Sequence, residues 1–130
     1  MNGRHCPLAE GPAGPGVATY TTPALAREEV MIGATRVETA VEGNGSELQL
    51  NARLYDVFPD GTAVMVDRGV YRLADSDGRV RFFLHGNGWR FERGHRIRIE
   101  LAQDDSTYIK PALTPSSLIL DGVTLRLPVR

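Results

Sequence analysis

The candidate nucleophiles and bases of this chain include three histidines, five serines and one cysteine. A serine hydrolase needs a nucleophile on a strained turn, a base, and a carboxylate that orients the base. The Gly-x-Ser-x-Gly sequence that supplies such a turn is absent. The serines fall in predicted turns and loops: Ser46, Ser76, Ser106, Ser116 and Ser117. We therefore predict no catalytic residue in this chain.

The histidines show no spacing typical of a metal site. His5 lies in a Gly- and Pro-rich stretch, His85 begins a Gly-Asn-Gly turn, and His95 follows Gly94 at the start of a strand. The single cysteine, Cys6, can complete neither a zinc site nor an internal disulfide. We expect His95 to be a half-buried structural residue that bonds a backbone group, and we predict no cofactor.

Two further groups of residues suggest binding. Asp104 and Asp105, next to a serine and a threonine, are a weak candidate for Ca²⁺, which prefers carboxylate and carbonyl oxygens. Two adjacent acids in a loop are more often simply solvated. Trp89 and Tyr108 are the aromatic residues expected to be exposed, either as a platform for a sugar ring or as a contact with a partner domain.

Length and charge limit the possible partners. The 130 residues form one domain, and a net charge of −1 makes nucleic acid a poor partner. No run of 18 apolar residues is present that would span a membrane, and the absence of a hydrophobic signal region predicts a cytoplasmic protein. We expect residues 1–16, rich in Gly and Pro, to be a flexible tail or linker, and residues 17–130 to be the folded domain.

The elements that position these residues are β-strands. The clearest is a hairpin from Leu48 to Leu73, whose alternating pattern is interrupted by a Pro59-Asp60-Gly61 turn. The pattern shifts phase near Gly69, where we predict a bulge. We also predict that Asp56 and Arg68, on the two strands of this hairpin, pair and fix its register.

Other stretches follow the same period of two. Residues 95–101 alternate three apolar residues with Arg, Arg and Glu, and residues 118–129 are predicted to form a final hairpin around Asp121-Gly122. Only residues 23–30 could form a helical turn or two. Seven to nine short strands with regular turns predict an all-β fold, an antiparallel β-sandwich or jelly roll.

Four of these motifs, in order, resemble the C-terminal domain of the X-Pro dipeptidyl-peptidase and cocaine-esterase-like (CocE/NonD) serine hydrolases. They are Tyr20-Thr21-Thr22-Pro23-Ala24-Leu25, residues 52–72 (ARLYDVFPDGT followed by DRGVYR), residues 94–101 (GHRIRIEL), and Leu125-Arg126-Leu127-Pro128-Val129. The resemblance covers about residues 17–130. The loop at residues 103–111 departs from the pattern of many relatives, so we expect the contacts with a hydrolase domain to differ there.

The resemblance implies a jelly roll of the galactose-binding-like type without catalytic residues of its own. In that family the serine-hydrolase triad lies on a separate α/β-hydrolase domain, which this chain does not include, and the jelly roll packs against it and helps wall the active site. The residues quoted from the motifs, Asp56, Arg68, Gly69, Gly94 and His95, are expected to be structural. The alternatives are a stand-alone carbohydrate-binding module and a β-sandwich that self-associates through the face left without its hydrolase domain.

Overall fold

The computed structural model describes residues 3–5, 9–10, 17–44, 49–72, 77–102 and 117–129, and side chains within 17–40, 49–72, 79–102 and 123–129. The regular elements in these ranges are all strands. In chain order they are β1 (Gly3–His5), β2 (Ala9–Glu10), β3 (Val17–Thr21), β4 (Glu29–Gly33), β5 (Arg36–Asn44), β6 (Gln49–Val57), β7 (Ala63–Arg72), β8 (Asp77–Phe83), β9 (Asn87–Phe91), β10 (Arg96–Ala102) and β11 (Ser117–Pro128).

The strands form two main sheets and a small third one. One sheet has the order β1-β11-β5-β8, the second has the order β2-β3-β10-β6-β7, and β4 pairs with β9 alone. Every pairing between these strands is antiparallel. Apolar side chains from all three sheets pack into one buried cluster. The predicted all-β antiparallel sandwich is therefore confirmed.

Alternation along each strand explains which side chains form this core. In β10, Ile97, Ile99 and Leu101 are buried, whereas the charged residues between them point away from the core. Two-residue periodicity makes this inevitable once one face of a strand is covered. The largest fully buried side chains come from different strands and meet between the sheets: Phe91, Met31, Leu50, Leu54, Ile99, Leu101, Leu125 and Leu127.

The β6–β7 hairpin has the predicted turn but a different bulge. The Phe58 carbonyl accepts from the Gly61 amide (2.9 Å), the Asp60 carboxylate accepts from the Thr62 amide (2.9 Å), and Gly61 has a φ of 92°. The register shifts between Leu54 and Tyr55, which pair with Asp67 and Met65. The extra residue is thus Val66, and the bulge predicted near Gly69 is wrong by three positions.

Two predictions at the ends of the domain are also wrong. Residues 118–129 do not form a hairpin, because β11 is one continuous strand along β5 with a bulge between Asp121 and Val123. Residues 23–30 contain no helix: the Leu25 amide donates to the His95 carbonyl (2.8 Å) and the Leu25 carbonyl accepts from the Gly94 amide (2.9 Å). These tertiary hydrogen bonds use the backbone groups that a helix would need.

The N-terminal segment contributes two short pairings. β1 pairs with β11, and β2 pairs with β3, both within the stretch predicted to be a tail. Its flexibility, and a domain boundary at residue 17, stay predictions. In the part of the chain that the structure describes, no helix is long and apolar enough to cross a membrane.

Candidate functional site: a buried Asp–His–Trp cluster and an arginine face

Asp56, His95 and Trp89 form a buried polar cluster. The His95 Nδ1 lies 2.8 Å from the Asp56 Oδ1, and the Trp89 Nε1 donates to the Asp56 Oδ2 at 3.1 Å. The Phe58 ring packs on the His95 ring, with 4.4 Å between centroids. Because an ionised carboxylate only accepts hydrogen bonds, Nδ1 carries the proton in this arrangement. One carboxylate therefore ties β6 to β9 and to the start of β10.

Local sequence explains how His95 reaches this place. Gly94 has a φ of 87°, a conformation that a side chain would strain, and the His95 amide donates to the Glu92 carbonyl at 3.1 Å. This tight turn ends just before β10 begins at Arg96. The His95 side chain is only 8% exposed, so it is more buried than predicted, and its partner is a carboxylate rather than a backbone group.

An Asp–His pair supplies two of the three groups of a serine-hydrolase triad, but none of the described side chains supplies a serine hydroxyl as the third group. The His95 Nε2 faces the Glu92 carboxylate at 3.7 Å, not a hydroxyl group. All five serines lie outside the residues whose side chains are described. The geometry of this pair is that of a positioning contact: it holds three strands together in the interior.

The predicted Asp56–Arg68 pair is wrong. In the hairpin register Asp56 stands opposite Val64, whereas Arg68 stands opposite Arg53. The Val66 bulge causes this, because one extra residue moves every following side chain of β7 to the other face of the sheet. Asp67 consequently points inward and Arg68 points outward, where its Nη2 lies 3.8 Å from the Met65 sulfur.

Asp67 and Gly69 hold the connection between β8 and β9. The Asp67 carboxylate accepts from the Gly86 amide (3.0 Å) and from the Arg68 amide (2.8 Å). A Cβ built on Gly69 would lie 3.0 Å from the Leu84 Cα, so the glycine lets this connection lie close to β7. Sequence reasoning did not assign Asp67 a role, although an acid directly after the apolar run at residues 63–66 was the available signal.

Of the predicted pair Trp89 and Tyr108, the structure describes Trp89 alone, and Trp89 is less exposed than expected. Trp89 lies in β9, is half-buried, packs against the core and donates to Asp56. Tyr108 lies outside the described residues, as do Asp104 and Asp105. Among the side chains that are described, no three His, Cys, Asp or Glu residues are grouped so that they could hold a metal ion.

The outer side of the β8-β5-β11 sheet carries a second feature, which we call the arginine face. Its residues alternate with buried ones and lie side by side in register: Arg36, Glu38, Arg79, Arg81, Phe83 and Arg126. The Arg81 Nε contacts the Glu38 carboxylate at 2.9 Å, and the Arg36 Nε lies 3.6 Å from it. Phe83 is 60% exposed. A shallow pocket of about 150 Å³ lies here, lined by Ala34, Arg36, Phe83, Arg126 and Pro128.

Tyr55, on the outer face of the other main sheet, has a perturbed titration. Partial burial, and then the charge of Glu100 with its hydrogen bond to the phenol, raise the pKa of Tyr55 above the ordinary 10.0. Because the pKa is higher in the folded state, the protonated Tyr55 adds to the free energy of unfolding. This contribution is complete below pH 10 and is lost as the pH rises through the folded pKa.

We expect Glu100→Gln to lower the pKa of Tyr55 without returning it fully to its ordinary value, because burial is the larger cause. Phenolate absorbance near 295 nm, measured as a difference from Tyr55→Phe, reports this group alone among four tyrosines. Glu92→Gln, which removes an exposed acid elsewhere, should leave the Tyr55 titration unchanged. An unshifted Tyr55 in Glu100→Gln would contradict the assignment.

Comparison of the sequence with models of known protein families identifies the family of this chain. Residues 8–125 match the model of the X-Pro dipeptidyl-peptidase C-terminal non-catalytic domain. This chain belongs to that family. The Asp56–His95 pair and the Asp67 and Gly69 contacts all lie within the matched residues. No curated protein matches the sequence of this domain.

Solved structures show the same fold at low sequence identity. An α-amino acid ester hydrolase aligns with a TM-score of 0.65 and 20% identity over 89% of this domain and 26% of its own chain. A CocE/NonD family hydrolase from Staphylococcus aureus aligns with a TM-score of 0.69 and 13% identity over 99% of this domain and 37% of its own chain. An aminopeptidase from a marine sediment Thaumarchaeota archaeon aligns with a TM-score of 0.60 and 17% identity over 86% of this domain and 23% of its own chain. The chain therefore spans between about a quarter and a little over a third of these proteins.

Proposed function

We propose that this domain is the accessory, non-catalytic part of a CocE/NonD-like serine hydrolase. In this role it packs against an α/β-hydrolase domain, which supplies the nucleophile, base and acid, and it helps form the wall of the active site. The observation that carries the proposal is the family match over residues 8–125 to a domain described as non-catalytic. The buried Asp56–His95 pair supports it, because the His95 Nε2 faces a carboxylate where a triad has a hydroxyl group.

The carbohydrate-binding alternative has less support. A sugar platform needs an exposed aromatic face, and Trp89 is half-buried with its indole N–H bonded to Asp56. Replacing Trp89 would remove its hydrogen bond to Asp56 and its packing against the core.

The first test is an activity assay of the purified chain. We expect no turnover of p-nitrophenyl acetate or of an Xaa-Pro p-nitroanilide, because catalysis requires groups that lie on the hydrolase domain. The expected result is a protein that is catalytically inactive although its far-UV circular dichroism spectrum shows a folded β-structure. Hydrolysis that disappears when one of the five serines is replaced by alanine would overturn the proposal.

The second test concerns the partner. The coding DNA flanking this segment is read for an α/β-hydrolase domain with a Gly-x-Ser-x-Gly turn, and the two parts are co-expressed. We expect them to co-elute in gel filtration. Separate elution of two folded proteins would contradict the proposed packing.

A further inference from the structure

Two arginines on the arginine face stand next to each other without a balancing acid between them. Arg36 on β5 is directly opposite Arg126 on β11. Like charges in directly opposite cross-strand positions repel and destabilise a sheet. Among the described residues the Nε atoms of both side chains have no hydrogen-bond partner, and the acid near Arg36 is Glu38, which lies closer to Arg81. Arg36 thus shares its nearby acid with Arg81, and a carboxylate placed between Arg36 and Arg126 would relieve the repulsion between these two.

The surroundings of this pair are apolar. Phe83 stands opposite Arg36 on β8, and Pro128 follows Arg126 by two residues, so the same side of the sheet presents both. Together with Ala34 they line the shallow pocket of about 150 Å³. An exposed aromatic ring beside cationic groups is typical of protein–protein contacts, in which aromatic and Arg residues dominate binding energy.

Charge makes a second copy of this domain an unsuitable partner for the face. A twofold contact places the same patch on both sides. Four arginines of one copy (Arg36, Arg79, Arg81 and Arg126) would then meet the same four of the other copy with Glu38 as the acid among them, and like charges brought together disfavour an interface. A nucleic acid is also disfavoured, because Glu38 lies in the middle of the group and the chain carries a net charge of −1.

We propose that the pocket at Arg36, Phe83 and Arg126 binds a glutamate or aspartate side chain, flanked by apolar residues, on the surface of the α/β-hydrolase domain. This inference rests on the proposed function for the identity of the partner, but not for the chemistry of the pocket. The carboxylate lies between the two guanidinium groups, and the apolar neighbours pack on Phe83 and Pro128. The β8-β5-β11 sheet is then the face by which the domain docks.

The pocket is tested with a blocked tripeptide, acetyl-Leu-Glu-Leu-amide, titrated into the ¹⁵N-labelled chain. We expect saturable amide shifts at Arg36, Phe83 and Arg126. Acetyl-Leu-Gln-Leu-amide, which has the same shape without the charge, should bind about fivefold more weakly. Arg126→Gln should cause a similar loss, whereas the matched variant Arg93→Gln, which changes an exposed arginine in the turn before β10, should bind as the parent does.

Three results would overturn the pocket: equal binding of the glutamine peptide, shifts confined to the opposite sheet, or tighter binding of a dT₁₀ oligonucleotide at the same residues. The co-expressed hydrolase domain separates the two proposals. A complex that forms but is not weakened by Arg36→Gln with Arg126→Gln refutes this docking face and leaves the accessory role intact. Peptide binding without any complex supports the carboxylate pocket and refutes the accessory role.

Discussion

Replacing Asp56 with alanine should lower the free energy of unfolding by about 3 kcal/mol. The reason is the position of its side chain, which is 3% exposed and whose carboxylate accepts from both His95 and Trp89. Its removal leaves the buried Nδ1–H of His95 and the indole N–H of Trp89 without an acceptor, and an unsatisfied buried donor costs more than the hydrogen bond itself contributed. Urea unfolding followed by circular dichroism measures the change.

The Asp56→Asn variant should lose less, about 1–2 kcal/mol, because the amide keeps one acceptor and the imidazole can change tautomer to accept from its NH₂ group. Asp60→Ala is the matched control: Asp60 is also an acid in the hairpin, but it is exposed and bonds only the turn, so its loss should be much smaller. A double-mutant cycle of Asp56→Ala with Trp89→Phe should show a coupling of about 1 kcal/mol. A loss below about 1 kcal/mol for Asp56→Ala would mean that this cluster does not hold the strands together.

Gly69→Ala should also destabilise the domain, by about 2 kcal/mol. The added Cβ would meet the Leu84 Cα at 3.0 Å, the Leu84 Cδ2 at 3.1 Å and the Phe83 carbonyl oxygen at 3.2 Å. Two of these three atoms belong to the backbone, which cannot rotate away as a side chain does. The connection from β8 to β9 must then move off β7, and this weakens the Asp67 contact with the Gly86 amide.

Gly88→Ala provides the control for Gly69→Ala. A Cβ there has only the Met31 carbonyl oxygen within reach, at 4.0 Å. This substitution should be neutral or slightly stabilising, because alanine loses less conformational entropy on folding. Thermal unfolding of the two variants side by side separates steric overlap from the general effect of removing a glycine. Equal melting temperatures would show that β7 and Leu84 are not tightly packed.

The sequence alone determined the class of fold and the family. Alternation in β10 predicted its buried residues, and Pro59-Asp60-Gly61 predicted a turn whose hydrogen bonds are those observed. These features depend on neighbours along the chain, so a local pattern is sufficient to predict them. The family motifs led us to expect structural roles for Asp56, Arg68, Gly69, Gly94 and His95, but not the contacts that these residues make.

Tertiary structure decided the partners of those residues. Asp56 bonds a histidine 39 residues away, and the extra Val66 in β7 turns Arg68 to the opposite face. Asp121-Gly122 is compatible with a turn or a bulge, and the nine-residue β5 alongside it favours the bulge, because it offers an uninterrupted strand to pair with. Alternation placed Arg36 and Arg126 on outer faces, but only the pairing of β5 with β11 brought the two charges together. Register and bulges are properties of two strands at once, and one stretch of sequence does not contain them.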